Sequence, residues 1–220
     1  MAKNKIRIQD YVDAGPMEYI VDLTNPKTRE KFIKRVEKIV RSALEYKDYT
    51  GFLREFMDMK SCAFFKGLEN EPGHKIRIEI HHEPFTLYDI AKTVLNKFIE
   101  EGYPIDDLLI ADEVLDIHYQ NKVGLVPLSK TVHEIVHNSD ELTIPLQLVY
   151  GDYKRFIAEY SEYFDDLILD KIENKIDEAR AFTPDMIKKL TPEFVYVQVK
   201  GFELPSKMAL EEAIEMSKAA

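Results

Sequence analysis

The sequence contains a single cysteine, Cys62, so no disulfide bond can form within the chain. Scarce cysteine is typical of proteins that work in a reducing compartment. No stretch approaches the roughly 20 apolar residues that a membrane-spanning helix needs. The polar N-terminal residues 1–5 also lack the apolar segment of a secretion signal. These absences predict a cytoplasmic protein with no membrane partner.

The composition is that of an ordinary globular protein, with 220 residues of which 45% are hydrophobic and 32% are charged. Since there is no repeat and no low-complexity linker, we expect a single domain over residues 1–220. The net charge of −10 argues against a nucleic-acid partner, but it is unevenly distributed. Residues 1–82 hold 16 basic and 13 acidic side chains (+3), and residues 83–220 hold 14 and 27 (−13). A mildly basic front half is compatible with a DNA partner.

Hydrophobic periodicity predicts an α+β fold that is mostly helical and has a small antiparallel sheet. The alternating run at 75–82 and the apolar run at 123–128 are expected to be strands, with residues 84–121 as a helical insertion between them. Residues 151–220 are expected to be helical in the main, and Cys62–Phe65 is expected to form a hairpin with Lys75–Ile80. Further expected elements are strands at Met17–Leu23 and Phe194–Val199 and helices from near Lys27, at Tyr49–Met57 and at Lys207–Lys218.

Four of the six histidines lie in two short clusters, His81-His82 and His133-Glu-Ile-Val-His137. Histidine titrates near neutral pH and is the commonest metal ligand. Residues four apart share one face of a helix, so His133 and His137 can bind one ion together. The pair at His81 and His82 is the expected source of a third ligand. Because Pro84 follows closely, we expect the strand to end there and both rings to turn toward one cleft.

The helix that carries the second histidine cluster has two possible starts. Ser129 is a plausible N-cap, and Thr131 with Glu134 forms an alternative capping box. Either start places His133 near the beginning of the helix. The metal-binding helix is therefore expected within residues 129–138.

These residues resemble a known family. The run Glu79-Ile80-His81-His82, a later short strand and a helix with His-x-x-x-His are similar to the HNH, or ββα-metal, endonucleases, and locally to the nuclease domains of DNase colicins. The resemblance covers residues 75–82 and 123–138 and implies a ββα-metal nuclease motif embedded in the domain. The segments 123–137 and 142–151 are also similar to uncharacterised phage-encoded proteins of this type. That likeness implies a phage gene and a location in the host cytoplasm.

The resemblance implies a role for each residue of the motif. His81, His133 and His137 would hold one divalent metal ion, His82 would be the general base that activates water, and Glu79 would support that base. The implied function is a metal-dependent endonuclease that hydrolyses phosphodiester bonds in DNA. In it the ion stabilises the charge that develops on the phosphorus and on the leaving oxygen. Three imidazole ligands favour Zn, Ni or Mn over Mg.

Two neighbouring features bear on this prediction. Lys75 and Arg77 alternate with isoleucines, so both are expected on the polar face of the strand, where they would contact DNA phosphates. The family often carries an asparagine in its second strand, whereas this chain has Gly124 at that place and Asn121 just outside it. Without that asparagine, the orientation of His82 is less well determined than the metal site.

The second histidine cluster also fits another enzyme class. The run from His133 to His137, with Glu134 between them, matches the HExxH pattern of zinc metalloproteases, in which the glutamate is the general base. Such an enzyme needs a further ligand downstream, for which Glu159 or Glu162 would have to serve. The upstream histidine pair has no role in that scheme.

A third interpretation involves no catalysis. The four histidines would then hold a structural ion, or belong to a degenerate nuclease motif in a DNA-binding or structural protein. The isolated residues His74 and His118 are interpreted as ordinary structural histidines, because lone histidines are more often packed or hydrogen-bonded than functional.

Overall fold

The computed structural model describes residues 7–8, 22–65, 68, 76–138 and 142–181. Within them the chain forms seven α-helices, two short 3-10 helices at Leu146–Leu148 and Ser161–Tyr163, and a two-stranded sheet. In chain order the named elements are α1 (Pro26–Ser42), α2 (Leu44–Glu55), β1 (Ile78–His82), α3 (Leu87–Glu100), α4 (Asp107–Tyr119), β2 (Leu125–Ser129), α5 (Lys130–Asn138), α6 (Tyr153–Tyr160) and α7 (Asp166–Ala181). The prediction of a mostly helical α+β fold with a small antiparallel sheet is confirmed.

Some predicted elements fall outside the described residues. They are the strand Phe194–Val199, the helix Lys207–Lys218 and nearly all of the strand Met17–Leu23. The residue Lys75 lies outside them as well. Among the described helices, none combines the length and the apolar character that crossing a membrane would require.

Side-chain caps define where the main helices begin. The Asn25 side chain accepts hydrogen bonds from the first backbone N–H groups of α1, and Pro26 occupies the first turn. Thr86 and Asp89 form a capping box at α3, and the Asp106 carboxylate caps α4. Helices α1, α3 and α4 pack on one another and bury their apolar faces in the main core. Segment 84–121 thus contains the two helices α3 and α4, which pack against each other.

The sheet joins segments that are far apart in the sequence. Strand β1 runs antiparallel to β2, with Glu79 opposite Leu128 and His81 opposite Val126. The expected hairpin between Cys62–Phe65 and Lys75–Ile80 is wrong for the described residues, because β2 is the partner of β1. The segment at Ala63 lies outside both strands and donates one backbone hydrogen bond to the carbonyl of Pro127, at 2.8 Å.

Gly124 lies just before β2, where two backbone segments come very close together. The Glu83 N–H donates to the Gly124 carbonyl at 2.9 Å. A Cβ atom on Gly124 would lie 1.8 Å from the Glu83 carbonyl oxygen and 2.7 Å from a methyl group of Val149. The resemblance to nucleases places an asparagine here, but the backbone leaves no space for any side chain. Glycine is therefore a requirement of this fold.

Candidate metal centre

Strand β1 and helix α5 bring the predicted metal ligands together. Successive residues of a strand point to opposite faces, so Glu79 and His81 share the face of β1 that α5 covers. Helix α5 begins directly after β2, with the Ser129 hydroxyl 3.5 Å from the Val132 N–H, which confirms Ser129 as the N-cap position. The Lys130 N–H donates to the carbonyl oxygen of the residue before β1 at 3.0 Å, which fixes the start of α5 against β1.

His81, His133 and His137 converge at this junction. One ring nitrogen from each lies within 4.8 Å of the other two. The Nε2 atoms of His133 and His137 are 3.2 Å apart. Two nitrogens bound tetrahedrally to one zinc ion at 2.0–2.1 Å are separated by about 3.3 Å. His133 and His137 are therefore already spaced as ligands of a single ion. His81, buried in β1, would supply the third ligand nitrogen.

Two carboxylates, Glu79 and Glu83, lie next to rings of this cluster. Glu79 accepts a hydrogen bond from Nδ1 of His133 at 2.8 Å, which leaves Nε2 of that ring directed toward the cluster. Glu83, buried directly after β1, lies 3.4 Å from Nε2 of His81 and 3.0 Å from the Lys175 ammonium group. Such carboxylate–histidine pairs orient metal ligands in known sites. Neither Glu83 nor Lys175 was predicted, since no local pattern links α7 to β1.

Two of the three histidines, His133 and His137, have lowered pKa values that favour the form that binds metals. Burial lowers the pKa of His133, and the nearby rings of His81 and His137 lower it further. Burial and the His81 ring also lower the pKa of His137. A metal ion coordinates neutral imidazole, so the lowered pKa values keep His133 and His137 available as ligands at neutral pH.

His82 does not join this group. Strand β1 extends through His82, so the alternation of side chains continues and its ring lies on the face opposite His81. There its Nε2 is 2.9 Å from Nε2 of His118, and burial lowers its pKa well below the ordinary value. His81 and His82 both line one cleft, but the His82 ring contacts His118 and not the three ligands. Glu79, predicted to support His82, contacts His133 instead.

His118 is a packed histidine of the core, as expected. Its Nδ1 donates to the Val114 carbonyl at 2.6 Å, and its ring makes edge-to-face contacts with Tyr46 and Tyr49 at 5.6 Å. Burial lowers its pKa to about 4. The unfolded chain, with an ordinary histidine pKa of about 6.5, therefore binds more protons than the folded chain at mildly acidic pH.

This difference predicts a pH dependence of stability. The contribution of neutral His118 is fully present above about pH 6.5 and is lost as the pH falls toward about 4, by roughly 3 kcal/mol in total. Urea unfolding from pH 7.5 to pH 4.5, in a chelator so that metal ligation does not contribute, checks this. We expect His118→Gln to be less stable at pH 7.5 and to lose less stability on acidification. If the free energy of unfolding falls equally with pH in the wild type and in His118→Gln, the lowered pKa of His118 is contradicted.

The protease interpretation has no support in the geometry. The Glu134 carboxylate is exposed and lies 3.3 Å from the Lys130 ammonium group, away from the three rings. Glu159 pairs with Lys122 and Arg155. Neither Glu159 nor Glu162 belongs to the ligand group that the described residues form, in which His81 supplies the third nitrogen.

A cleft of about 530 Å³ opens beside the three histidines. We call it the basic cleft, because its lining includes the four cationic side chains Arg41, Lys47, Arg54 and Arg77 and a single carboxylate, Glu79. Arg77 is largely exposed but pairs with Glu79 at 2.9 Å. The other residue predicted to contact DNA, Lys75, lies outside the described residues.

Comparison with known proteins gives a family. The sequence model of the bacteriophage G278-like virion proteins matches residues 2–193, most of the chain, and the chain belongs to this family. No curated protein and no solved structure matches it. The phage origin expected from the sequence is thereby supported. The prediction of an endonuclease is wrong, because the family is one of virion proteins and not of nucleases.

Proposed function

We propose that this virion protein binds one divalent ion through His81, His133 and His137, and that the ion has a structural role. The observation that carries the proposal is the convergence of three imidazoles, with two Nε2 atoms 3.2 Å apart and a carboxylate on the far nitrogen of one ring. An all-imidazole set suits zinc or nickel better than magnesium.

A structural role follows from where the ligands lie. His81 belongs to β1, whereas His133 and His137 belong to α5, and the helices α3 and α4 intervene in the sequence. An ion bound to all three rings links the strand to the helix directly. It adds to a junction held by the antiparallel ladder, by one backbone hydrogen bond from Lys130 and by the contact of Glu79 with His133.

DNA is not included as a partner. The net charge of −10 opposes binding to a phosphate backbone, and Arg77 is neutralised by its contact with Glu79. The proposal is therefore a metal-stabilised structural protein, and it contains no catalytic step.

Metal analysis of the purified chain tests the proposal. After incubation with zinc and removal of excess ion, we expect about one zinc per wild-type chain by elemental mass spectrometry. His81→Ala, His133→Ala and His137→Ala should each reduce the retained zinc at least ~10-fold, since two ligands hold an ion weakly. Glu134→Gln is the matched control on the same helix and should retain the wild-type content. Wild-type chain without zinc, or zinc retained by all three alanine variants, would refute the site.

A further inference from the structure

The basic cleft has cationic side chains that are free to meet an anionic partner. Lys47 and Arg54 lie seven residues apart on α2 and so share one face of that helix. In the described part of the chain neither forms an ion pair, and Arg54 donates only to the Thr50 carbonyl, at 3.3 Å. Arg41, at the end of α1, is 3.7 Å from Glu37, too far for a strong pair. The cleft is thus a positive region on an acidic protein.

Helix α7 carries the complementary charge. Asp166, Asp170, Glu173 and Asp177 follow one another at helical spacing and are exposed, on the face opposite the buried isoleucines of the helix. We call this set the acidic stripe. Across the described residues, the one ion pair that reaches it joins Asp177 to Arg180 at 2.6 Å. The stripe extends about 16 Å along the helix axis.

We propose that the acidic stripe of one copy of this protein docks on the basic cleft of a second copy. The two surfaces have opposite charge and belong to different elements of the chain, so the contact is heterologous. Such contacts repeat head to tail and produce rings or filaments. The same separation of charge is present along the sequence, where residues 1–82 carry a net charge of +3 and residues 83–220 a net charge of −13. A phosphate backbone is a weaker candidate, because it would be repelled by most of the surface.

A charge swap tests the contact without depending on the metal. In the cleft variant, Lys47→Glu and Arg54→Glu make the cleft acidic. In the stripe variant, Asp170→Lys and Glu173→Lys make the stripe basic. Wild-type protein at low salt should show concentration-dependent association in sedimentation velocity, and each variant alone should associate at least ~10-fold more weakly. Mixing the two variants restores opposite charges at both contacts, so the mixture should associate again.

Two further experiments distinguish this contact from a general effect of net charge and from binding of nucleic acid. Lys31→Glu with Lys38→Glu changes the net charge by the same amount as the cleft variant, at exposed α1 positions outside the cleft with the same spacing. This control should associate like wild type. Wild-type protein that stays monomeric up to about 100 μM overturns the proposal, as does a variant mixture that remains monomeric. Monomeric wild type that binds a fluorescent DNA duplex, with binding lost in the cleft variant, would instead assign the cleft to nucleic acid.

Discussion

Removing the ion should lower the melting temperature of the wild-type chain by roughly 8–16 °C. A ligand present at about a thousand times its dissociation constant stabilises the folded state by about 4 kcal/mol. For a chain of this size each kcal/mol changes the melting temperature by about 2–4 °C. Differential scanning fluorimetry with saturating zinc and with excess chelator measures the difference.

The histidine variants give this prediction its control. A chain with all three histidines replaced by alanine should melt at the same temperature in zinc and in chelator, because it has no site to fill. Glu134→Gln, whose side chain contacts Lys130 and not the rings, should keep the full response. A zinc response of similar size in the triple variant would mean that the stabilising ion binds elsewhere.

Gly124→Ala should cost more than about 3 kcal/mol of unfolding free energy, among the larger effects of a single substitution. The added Cβ would lie 1.8 Å from the Glu83 carbonyl oxygen, which is backbone and cannot swing away. Separating the two segments would also break the hydrogen bond from the Glu83 N–H to the Gly124 carbonyl and disturb the entry to β2. Asparagine, the residue expected here from the nuclease resemblance, should be at least as harmful.

The matched control is Gly51→Ala within α2. Nothing lies within 4 Å of a Cβ at that position, and alanine favours a helix interior over glycine by roughly 0.5–1 kcal/mol. Urea unfolding should therefore show the same substitution destabilising the chain at Gly124 and stabilising it at Gly51. If Gly124→Ala unfolds at the same urea concentration as the wild type, the prediction is contradicted, and the backbone at Glu83 relaxes easily.

Local patterns in the sequence were enough to predict most of the helices. The apolar period of α1, its start near Lys27 and the spacing of His133 and His137 are each set within a few residues, and each is found in the structure. The three predicted metal ligands do converge. That they bind an ion stays a prediction, but their geometry followed from a strand end and one helix turn.

Contacts between distant segments could not be predicted in this way. The partner of β1 was wrong because alternation identifies a strand but not its neighbour in the sheet. The direction of His82 depended on how far β1 continues, and its contact with His118 required knowing where α4 packs. The nuclease motif resemblance failed for a related reason. Histidine spacing constrains the geometry around an ion, whereas catalysis depends on a base and a substrate surface that the spacing does not specify.

The position of the ligands also bears on the entropy of the unfolded chain. His81 and His133 are separated by more than fifty residues, including all of α3 and α4. A cross-link that closes a loop of this length reduces the freedom of the unfolded chain by about 4 kcal/mol in the loop-entropy model used for disulfides. With Cys62 as its single cysteine, the chain has no internal disulfide for this purpose. An ion joining His81 to α5 would be a reversible cross-link, formed and released by metal concentration instead of by oxidation.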